Sequence, residues 1–239
     1  MIVGEQKPIE EISKMIAEYK TVLVMGCNTC IAVCHAGGEK EVGILASALR
    51  IKNKVEGREQ NIEEASMERQ CEREFVDELA DKIKEADCVL SLACGVGPQT
   101  IVEFYPDTIV LPGINTTFYG MPKEQGFFVE FCGGCGNCVL DMTAGICPIV
   151  RCSKSMLNGP CGGSQEGRCE VNKDIDCGWQ LIHDRLKAQG KLDFMDEILP
   201  PKDWSPARHG GPRKMVREDL KIDEKPEDEI EGITKEGEK

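Results

Sequence analysis

Fourteen cysteines in 239 residues constrain this chain more strongly than any other feature of its sequence. Aromatic residues make up only 5% of the chain and charged residues 30%, which leaves little bulky apolar material for one deep core. Residues 1–13 contain no apolar segment of the kind that a secretory signal needs, and no apolar run approaches the length of a membrane span. We therefore expect a cytoplasmic protein, in which closely spaced cysteines indicate metal or redox sites before disulfides.

The most specific motif places three cysteines three residues apart. It reads Cys132-Gly-Gly-Cys135-Gly-Asn-Cys138 and is followed by Cys147-Pro148, a spacing close to that of bacterial ferredoxins. A cubane iron–sulfur cluster binds one thiolate on each of its four irons, and a tight loop of this kind reaches three of them. The glycines between the cysteines let the backbone approach, so that N–H groups can point at the sulfur atoms. The alternative is a zinc knuckle, because short Cys-x2-Cys pairs also bind zinc.

Four more cysteines follow in a glycine-rich segment, namely Cys152, Cys161, Cys169 and Cys177. With the previous four they make eight thiols, which is enough for two four-cysteine sites. The second Cys-x2-Cys-x2-Cys run of a two-cluster ferredoxin is absent, so the sequence leaves open which cysteines share a cluster. The segment Asn158-Gly-Pro-Cys161-Gly-Gly consists of turn-forming residues, which suits a ligand held near a cluster.

The amino-terminal half shows strands that alternate with helices. The β-branched run 21–25 predicts a buried strand, and the apolar stripe within 73–86 predicts a helix. The full set comprises strands at 21–25, 65–70, 88–93 and 107–111, and helices at 9–19, 39–52, 73–86 and 99–105. This order predicts an α/β fold with a small parallel sheet and flanking helices.

Four cysteines of this half directly follow predicted strands. Cys27 and Cys30 follow the first strand, Cys71 the second and Cys94 the third. The carboxyl ends of parallel strands meet at one edge of a sheet, where α/β proteins bind their ligands. The sequence therefore predicts that these four thiols converge on a further iron–sulfur cluster or on zinc.

Alternatives remain for the cysteines near the first strand. Cys34 is a possible substitute for one of the four ligands, and Cys88, which lies inside a strand, is expected to be a buried, inert thiol. The pair Cys27-x-x-Cys30 also fits a thioredoxin-like dithiol. Against the dithiol, such motifs open a helix directly, whereas Gly37-Gly38 intervene before the next predicted helix.

The pattern changes after residue 112. Residues 112–131 show no clear period and are predicted to be a linker or a wrapping segment. Residues 132–177 are predicted to be irregular, and 179–187 to be a helix. The Pro- and Gly-rich stretch 200–213 predicts an extended arm, and the charged end after it is predicted to be mobile. The predicted regions are an α/β domain with a metal site (1–115), an irregular cysteine-rich iron–sulfur module (116–190) and an extended, partly disordered arm (191–239).

The chain carries no signature of nucleic-acid or nucleotide binding. Its net charge is −13 without a cluster of lysine and arginine, and it has neither a Walker motif nor a G-x-G-x-x-G after a strand. No Ser/His/Asp set or poised carboxylate pair stands out. An iron–sulfur protein without a motif for an organic substrate is expected to relay electrons inside a larger reductase. The alternative is a zinc-binding protein that acts as a structural or regulatory adaptor of the catalytic subunit of that reductase.

Several motifs together resemble the small cysteine-rich subunit of acetogen-type methylenetetrahydrofolate reductases, also described as the methylenetetrahydrofolate reductase C-terminal-like family. The most specific piece is Gly145-Ile-Cys-Pro-Ile-Val-Arg-Cys-Ser-Lys154, which runs into Leu157-Asn-Gly-Pro-Cys-Gly-Gly163. The other pieces are Met25-Gly-Cys-Asn-Thr-Cys30, Gly37–Val42, Leu92–Gln99, Pro112–Thr116, Cys169–Val171 and Cys177–Ile182. The resemblance covers residues 20–205, and the tail beyond them is not diagnostic.

The resemblance implies a flavin-containing TIM-barrel partner that reduces 5,10-methylenetetrahydrofolate to 5-methyltetrahydrofolate in the Wood–Ljungdahl pathway. This chain would carry electrons to that flavin from an outside donor, with further electron-donor subunits as additional partners. The cysteine count allows two or three 4Fe–4S clusters, with zinc as the alternative at one site. The aromatic residues of 118–131 and the arm with Trp204 are candidate docking surfaces, or they cover the small core.

Overall fold

The structure, a computed structural model, describes residues 1–221. Its strands are β1 Ile2–Gln6, β2 Thr21–Cys27, β3 Asn61–Met67, β4 Cys88–Leu92, β5 Val110–Pro112, β6 Ile114–Glu124 and β7 Phe127–Cys132. Its helices are α1 Ile9–Met15, α2 Cys30–Val33, α3 Glu39–Glu56, α4 Arg73–Asp77, α5 Ala80–Glu85, α6 Val96–Phe104, α7 Pro148–Arg151 and α8 Gly178–Ala188. The strands form a parallel sheet in the order β3-β2-β4-β5 and an antiparallel sheet in the order β1-β6-β7.

The parallel sheet is packed on both faces. Alternate side chains of a strand point to opposite faces, and the central strand β2 is apolar on both. Val22 and Val24 join one apolar core with residues of α1 and α3. Leu23 and Met25 join a second core with residues of α4, α5 and α6. The predicted α/β fold with a small parallel sheet and flanking helices is confirmed.

The antiparallel sheet corrects the prediction of a linker at 112–131. Strands β6 and β7 form a hairpin there, and β1 adds to β6 with Ile2 opposite Tyr119 and Gln6 opposite Ile114. The strands are hard to recognise from sequence because their register shifts at Tyr119/Gly120 and again at Pro122/Glu124, which interrupts the alternation of side chains. Since β6 runs from residue 114 to residue 124, it crosses the predicted domain boundary at 115/116.

Two predictions within the α/β region are also wrong. The second strand lies at 61–67 instead of 65–70, so three residues separate it from Cys71. The helix predicted at 73–86 is broken into α4 and α5 at Leu79, whose backbone leaves the helical region with ψ near 14°. The break still leaves Val76 and Ile83 in the same apolar core.

The carboxyl-terminal half has little regular structure, as predicted. Besides α7 and α8, it contains 3-10 turns at Leu192–Met195, Arg208–Gly210 and Glu218–Leu220. The prediction of a mobile charged end falls mostly on residues 222–239, which lie outside the described residues. No helix within residues 1–221 combines the length and the apolar character that crossing a bilayer requires.

Candidate metal centres

Three cysteines lie at the carboxyl edge of the parallel sheet, as the strand order predicts. Cys27 is the last residue of β2, Cys94 follows β4 by two residues, and Cys71 follows β3 by four. Cys30 begins α2, immediately beyond the same edge. We call these four residues the strand-edge cluster.

The thiols of Cys27 and Cys94 act electrostatically on the thiol of Cys71. Cys27 and Cys94 are buried, with 6% and 7% of their surfaces exposed. Partial burial raises the pKa of the Cys71 thiol, and the nearby thiols of Cys27 and Cys94 raise that pKa further. This mutual repulsion between thiolates is the electrostatic setting that a bound cation relieves.

Cys34 is held apart from this cluster. Its Sγ donates to the carbonyl oxygen of Cys30 at 3.3 Å and to that of Ile2 at 3.5 Å, and burial raises the pKa of its thiol. A neutral thiol that donates to carbonyls is a poor substitute for a thiolate ligand, which favours Cys30 over Cys34. The argument used against a dithiol at Cys27 and Cys30 is wrong, however, because Cys30 does open the short helix α2.

A buried glutamine that the sequence did not single out fixes the position of Cys71. Gln70 is fully buried, its Nε2 donates to the carbonyl oxygen of Met25 at 2.8 Å, and its Oε1 accepts from the Ser91 hydroxyl at 2.6 Å. The side chain therefore ties the Cys71 loop to β2 and β4 at once. Its sequence neighbours gave no signal, because a glutamine beside a cysteine is usually an exposed loop residue.

The cysteine loop, residues 132–138, begins where β7 ends at Cys132. The N–H of Gly134 donates to the Cys132 Sγ at 3.4 Å, as expected of a loop that presents thiolates to a metal. Gly134 and Gly136 adopt φ of +60° and +77°, values that residues other than glycine rarely adopt. Cys147 caps the start of α7, which packs against the end of β7 through Val150 near Gly133.

The other four carboxyl-terminal cysteines line one small cavity. We call Cys152, Cys161, Cys169 and Cys177 the four-cysteine pocket; its remaining lining residues are Lys154, Ser164, Glu170, Gly178 and Trp179. Cys152 directly follows the last residue of α7, and Cys177 directly precedes the first residue of α8. The structure thus groups these four thiols, a grouping that the sequence left open.

Glycine and tryptophan hold the two helices of this pocket together. A Cβ on Gly178 would lie 2.5 Å from the carbonyl oxygen of Arg151, so only glycine lets α8 approach α7 this closely. Trp179 is buried and its indole N–H donates to the carbonyl oxygen of Met156 at 2.9 Å. Cys177, itself 8% exposed, is buried in the same apolar cluster as Trp179.

The environment of the four-cysteine pocket favours a thiolate at Cys169. The Ser153 hydroxyl lies 3.3 Å from its sulfur and lowers the pKa of the thiol most, and the N–H groups of Val171 and Asn172 lower it further. Lys154 adds a positive charge to the pocket, where it forms an ion pair with Glu170. Glu170 Oε1 in turn lies 3.9 Å from the Cys161 sulfur.

The residues present fit a metal cluster, although the thiols have not converged to metal-bonding distances. No group of three or more histidine, cysteine, aspartate or glutamate side chains within residues 1–221 stands in a geometry that would hold a single ion. The Ser164 hydroxyl, however, lies buried in the wall of the four-cysteine pocket without a hydrogen-bond partner in the described part of the chain. A sulfur-rich cluster at that place would accept a hydrogen bond from this hydroxyl, which removes the cost of an unsatisfied buried donor.

Comparison with known proteins finds one family. Residues 111–205 match the family model described as methylene-tetrahydrofolate reductase C terminal. This segment contains the cysteine loop, Cys147 and the four-cysteine pocket. The match supports the predicted relationship to methylenetetrahydrofolate reductases for the cysteine-rich half. It begins at residue 111 and so does not include the strand-edge cluster.

No match was found among curated proteins or among solved structures. The acetogen-type assignment and the identity of the metal therefore stay predictions.

Proposed function

We propose that this chain is an iron–sulfur electron-transfer subunit of a methylenetetrahydrofolate reductase and works in the cytoplasm. The observation that carries the proposal is the four-cysteine pocket, in which four thiols separated by up to 25 positions in sequence line one cavity. The pocket lies inside the segment that matches the methylenetetrahydrofolate reductase family. Four cysteine thiolates are the usual ligand set of a 4Fe–4S cluster.

The chain's own residues would hold and tune such a cluster. When bound, a 4Fe–4S cluster supplies a one-electron carrier whose potential depends on its ligands, hydrogen bonds and exposure. Ser153 and the N–H groups of Val171 and Asn172 stabilise the thiolate of Cys169, and Trp179 excludes water from the side of Cys177. Cys132, Cys135, Cys138 and Cys147 would bind a second cluster, and the strand-edge cluster a third cluster or zinc.

The partner in this proposal is a flavin-containing TIM-barrel subunit. The flavin would perform the hydride chemistry on 5,10-methylenetetrahydrofolate, while this chain delivers electrons from an outside donor, with further donor subunits where the complex contains them. The family match supports an association with methylenetetrahydrofolate reductase. The acetogen type and the place in the Wood–Ljungdahl pathway come from the motif resemblance and belong to the proposal.

A zinc-binding structural or regulatory adaptor is the second candidate. Four thiols around one small cavity also suit tetrahedral zinc, which structural sites bind through four cysteines. Zinc carries no electrons, so in this case the chain would only hold or regulate the catalytic subunit.

Electron delivery to the flavin tests the proposal directly. The chain is purified anaerobically, reduced with dithionite, freed of excess reductant and mixed with the flavin subunit while flavin absorbance is recorded. We expect flavin bleaching with the wild-type chain and with Cys88→Ala, whose thiol belongs to none of the three cysteine groups. Cys161→Ser should lose about four irons per chain and bleach the flavin more slowly. Equal flavin reduction with a zinc-only chain would contradict the proposal.

A further inference from the structure

The arm, residues 200–213, lies against the cysteine loop. The Lys202 ammonium donates to the carbonyl oxygen of Asn137, and the Arg213 Nη1 donates to that of Gly134 at 2.9 Å. Both acceptors are backbone oxygens of the loop that carries Cys132, Cys135 and Cys138. The arm was a candidate docking surface on sequence grounds, yet its cations contact the chain's own loop.

The packing between arm and loop is close. A Cβ on Gly136 would lie 2.6 Å from the Pro206 Cβ and 2.7 Å from the Pro206 carbonyl oxygen, so the loop accepts only glycine where the arm crosses it. The Arg213 Nη1 also donates to that Pro206 oxygen at 3.0 Å. Ala207, the next residue, is buried. Arg213 therefore joins two parts of the arm to each other and to the loop.

The charges of these contacts match the chemistry of the loop. Thiolates that bind a metal leave the loop with negative charge, and cations on neighbouring carbonyls offset part of it. A guanidinium that donates to two carbonyl oxygens also fixes the orientation of the loop's peptide groups. Both effects act through the loop backbone and do not require Arg213 to touch a metal.

We propose that Arg213 is a positioning residue and that the arm is an intramolecular cover of the cysteine loop. The proposal rests on the proposed function, in which this loop binds an iron–sulfur cluster. The cover holds the loop in the conformation that presents its thiols, of which Cys132 and Cys138 remain exposed. Partner docking is then left to other surfaces of the chain.

The test compares Arg213→Gln with Arg217→Gln in the full chain. Arg217 is the matched control because it lies in the same carboxyl-terminal segment and pairs with Asp219. Lys202→Gln breaks the other arm contact and should act in the same direction as Arg213→Gln. In metal-free, reduced protein, iodoacetamide labelling read by mass spectrometry should modify Cys135, the least exposed of the three loop cysteines, faster in Arg213→Gln, while labelling of Cys177 stays as in the wild type.

In anaerobically purified protein, the same variants are challenged with an iron chelator and titrated by electron paramagnetic resonance. Loss of a supporting contact around metal ligands typically weakens binding by about tenfold or more. We expect Arg213→Gln to release iron about tenfold faster and to shift one cluster to a more negative potential, because a positive charge has been removed.

Unchanged labelling of Cys135 in both Arg213→Gln and Lys202→Gln would overturn the cover. Labelling that rises equally in Arg217→Gln would overturn it as well. Absence of iron and sulfide from all proteins would contradict the proposed function, whereas labelling of metal-free protein would still decide whether the arm covers the loop.

Discussion

At the scale of single residues, the most informative side chain is one without metal chemistry. The Gln70 amide donates to the Met25 carbonyl and accepts from the Ser91 hydroxyl, and so holds the Cys71 loop against the ends of two strands. The cysteines themselves were recognisable from sequence because their spacing is diagnostic. Gln70 was not, since its role depends on two partners that lie 45 and 21 positions away.

Replacing Gln70 by alanine should weaken the strand-edge cluster more than the fold. The Met25 carbonyl and the Ser91 hydroxyl lose their partners, so we expect the free energy of unfolding to fall by about 1–3 kcal/mol. Metal bound at the strand-edge cluster should also be released faster to a chelator. Urea unfolding and metal-release kinetics measure the two effects.

Gln60→Ala is the matched control for this variant. Gln60 donates to the carbonyl oxygens of Ile16 and Tyr19 near the opposite end of the sheet. We expect a similar loss of stability with metal release unchanged. Equal metal release from both variants would show that Gln70 has no particular role in placing Cys71.

Cys88 begins β4 and Cys94 follows it by two residues. The two cysteines should differ in their effect on bound metal. Burial raises the pKa of Cys88 to about 12, so this thiol is neutral at pH 8 and should resist alkylation in the folded chain. Cys88→Ala should retain all bound metal, whereas Cys94→Ala should lose the metal of the strand-edge cluster. Metal analysis of the two variants checks this, and equal loss from both would contradict the assignment.

The same pKa predicts the direction of a pH effect. The Cys88 thiol ionises near its usual pKa of 9.0 in the unfolded chain but only near 12 in the folded one. The folded state therefore binds more protons between these values, and its stability falls as pH rises through this window. Urea unfolding at pH 9 and pH 11 should show a smaller loss of stability for Cys88→Ala than for the wild type.

At the scale of elements, the sequence predicted the parallel sheet better than the antiparallel one. Strand β2 was recognisable because it is apolar on both faces, and β4 for the same reason. Strands β6 and β7 were missed because β6 contains Gly120 and Pro122, and because its partner β1 is more than 100 residues away. Pairing over that distance leaves no local pattern to read.

The cysteine groups likewise differ in how well the sequence predicted them. The strand-edge cluster was predicted from the parallel order of strands, because residues that follow parallel strands lie at the same edge of the sheet. The division of the eight carboxyl-terminal cysteines could not be predicted, because it depends on how α8 packs against α7. That packing requires a glycine at position 178, and a single glycine in the sequence does not indicate which helix it contacts.

The loop between α2 and α3 offers a test at this scale. A Cβ on Gly37 would lie 2.1 Å from the backbone oxygen of Leu92, and the Gly37 carbonyl accepts the Cys27 N–H at 2.9 Å. Gly37→Ala should therefore cost about 1–3 kcal/mol of stability and release metal from the strand-edge cluster. Gly43→Ala, in α3, should instead stabilise by about 0.5–1 kcal/mol, because a Cβ there would meet only the Glu64 side chain at 3.6 Å. Urea unfolding measures both, and a neutral Gly37→Ala would contradict the packing.

At the scale of the whole molecule, helix α7 joins two cysteine groups. Cys147 stands before its first residue and Cys152 after its last, so five residue steps, about 7.5 Å along the axis at the helical rise per residue, separate them. Clusters in the cysteine loop and in the four-cysteine pocket would therefore be neighbours. Such proximity suits electron transfer between them before the flavin is reached.

Neighbouring reduced clusters should couple magnetically. We expect the fully reduced chain to give a broadened electron paramagnetic resonance spectrum of two interacting spins. Cys161→Ser, which removes a ligand from the four-cysteine pocket, should leave a narrow signal from the remaining cluster. Two narrow and independent signals in the wild type would contradict the arrangement around α7.

The most direct measurement of the central claim is the iron, acid-labile sulfide and zinc content of the chain after purification without oxygen. Two 4Fe–4S clusters predict about eight irons and about eight sulfides per chain, with additional iron and sulfide, or one zinc, at the strand-edge cluster. A chain that contains zinc but no acid-labile sulfide would contradict the electron-transfer role.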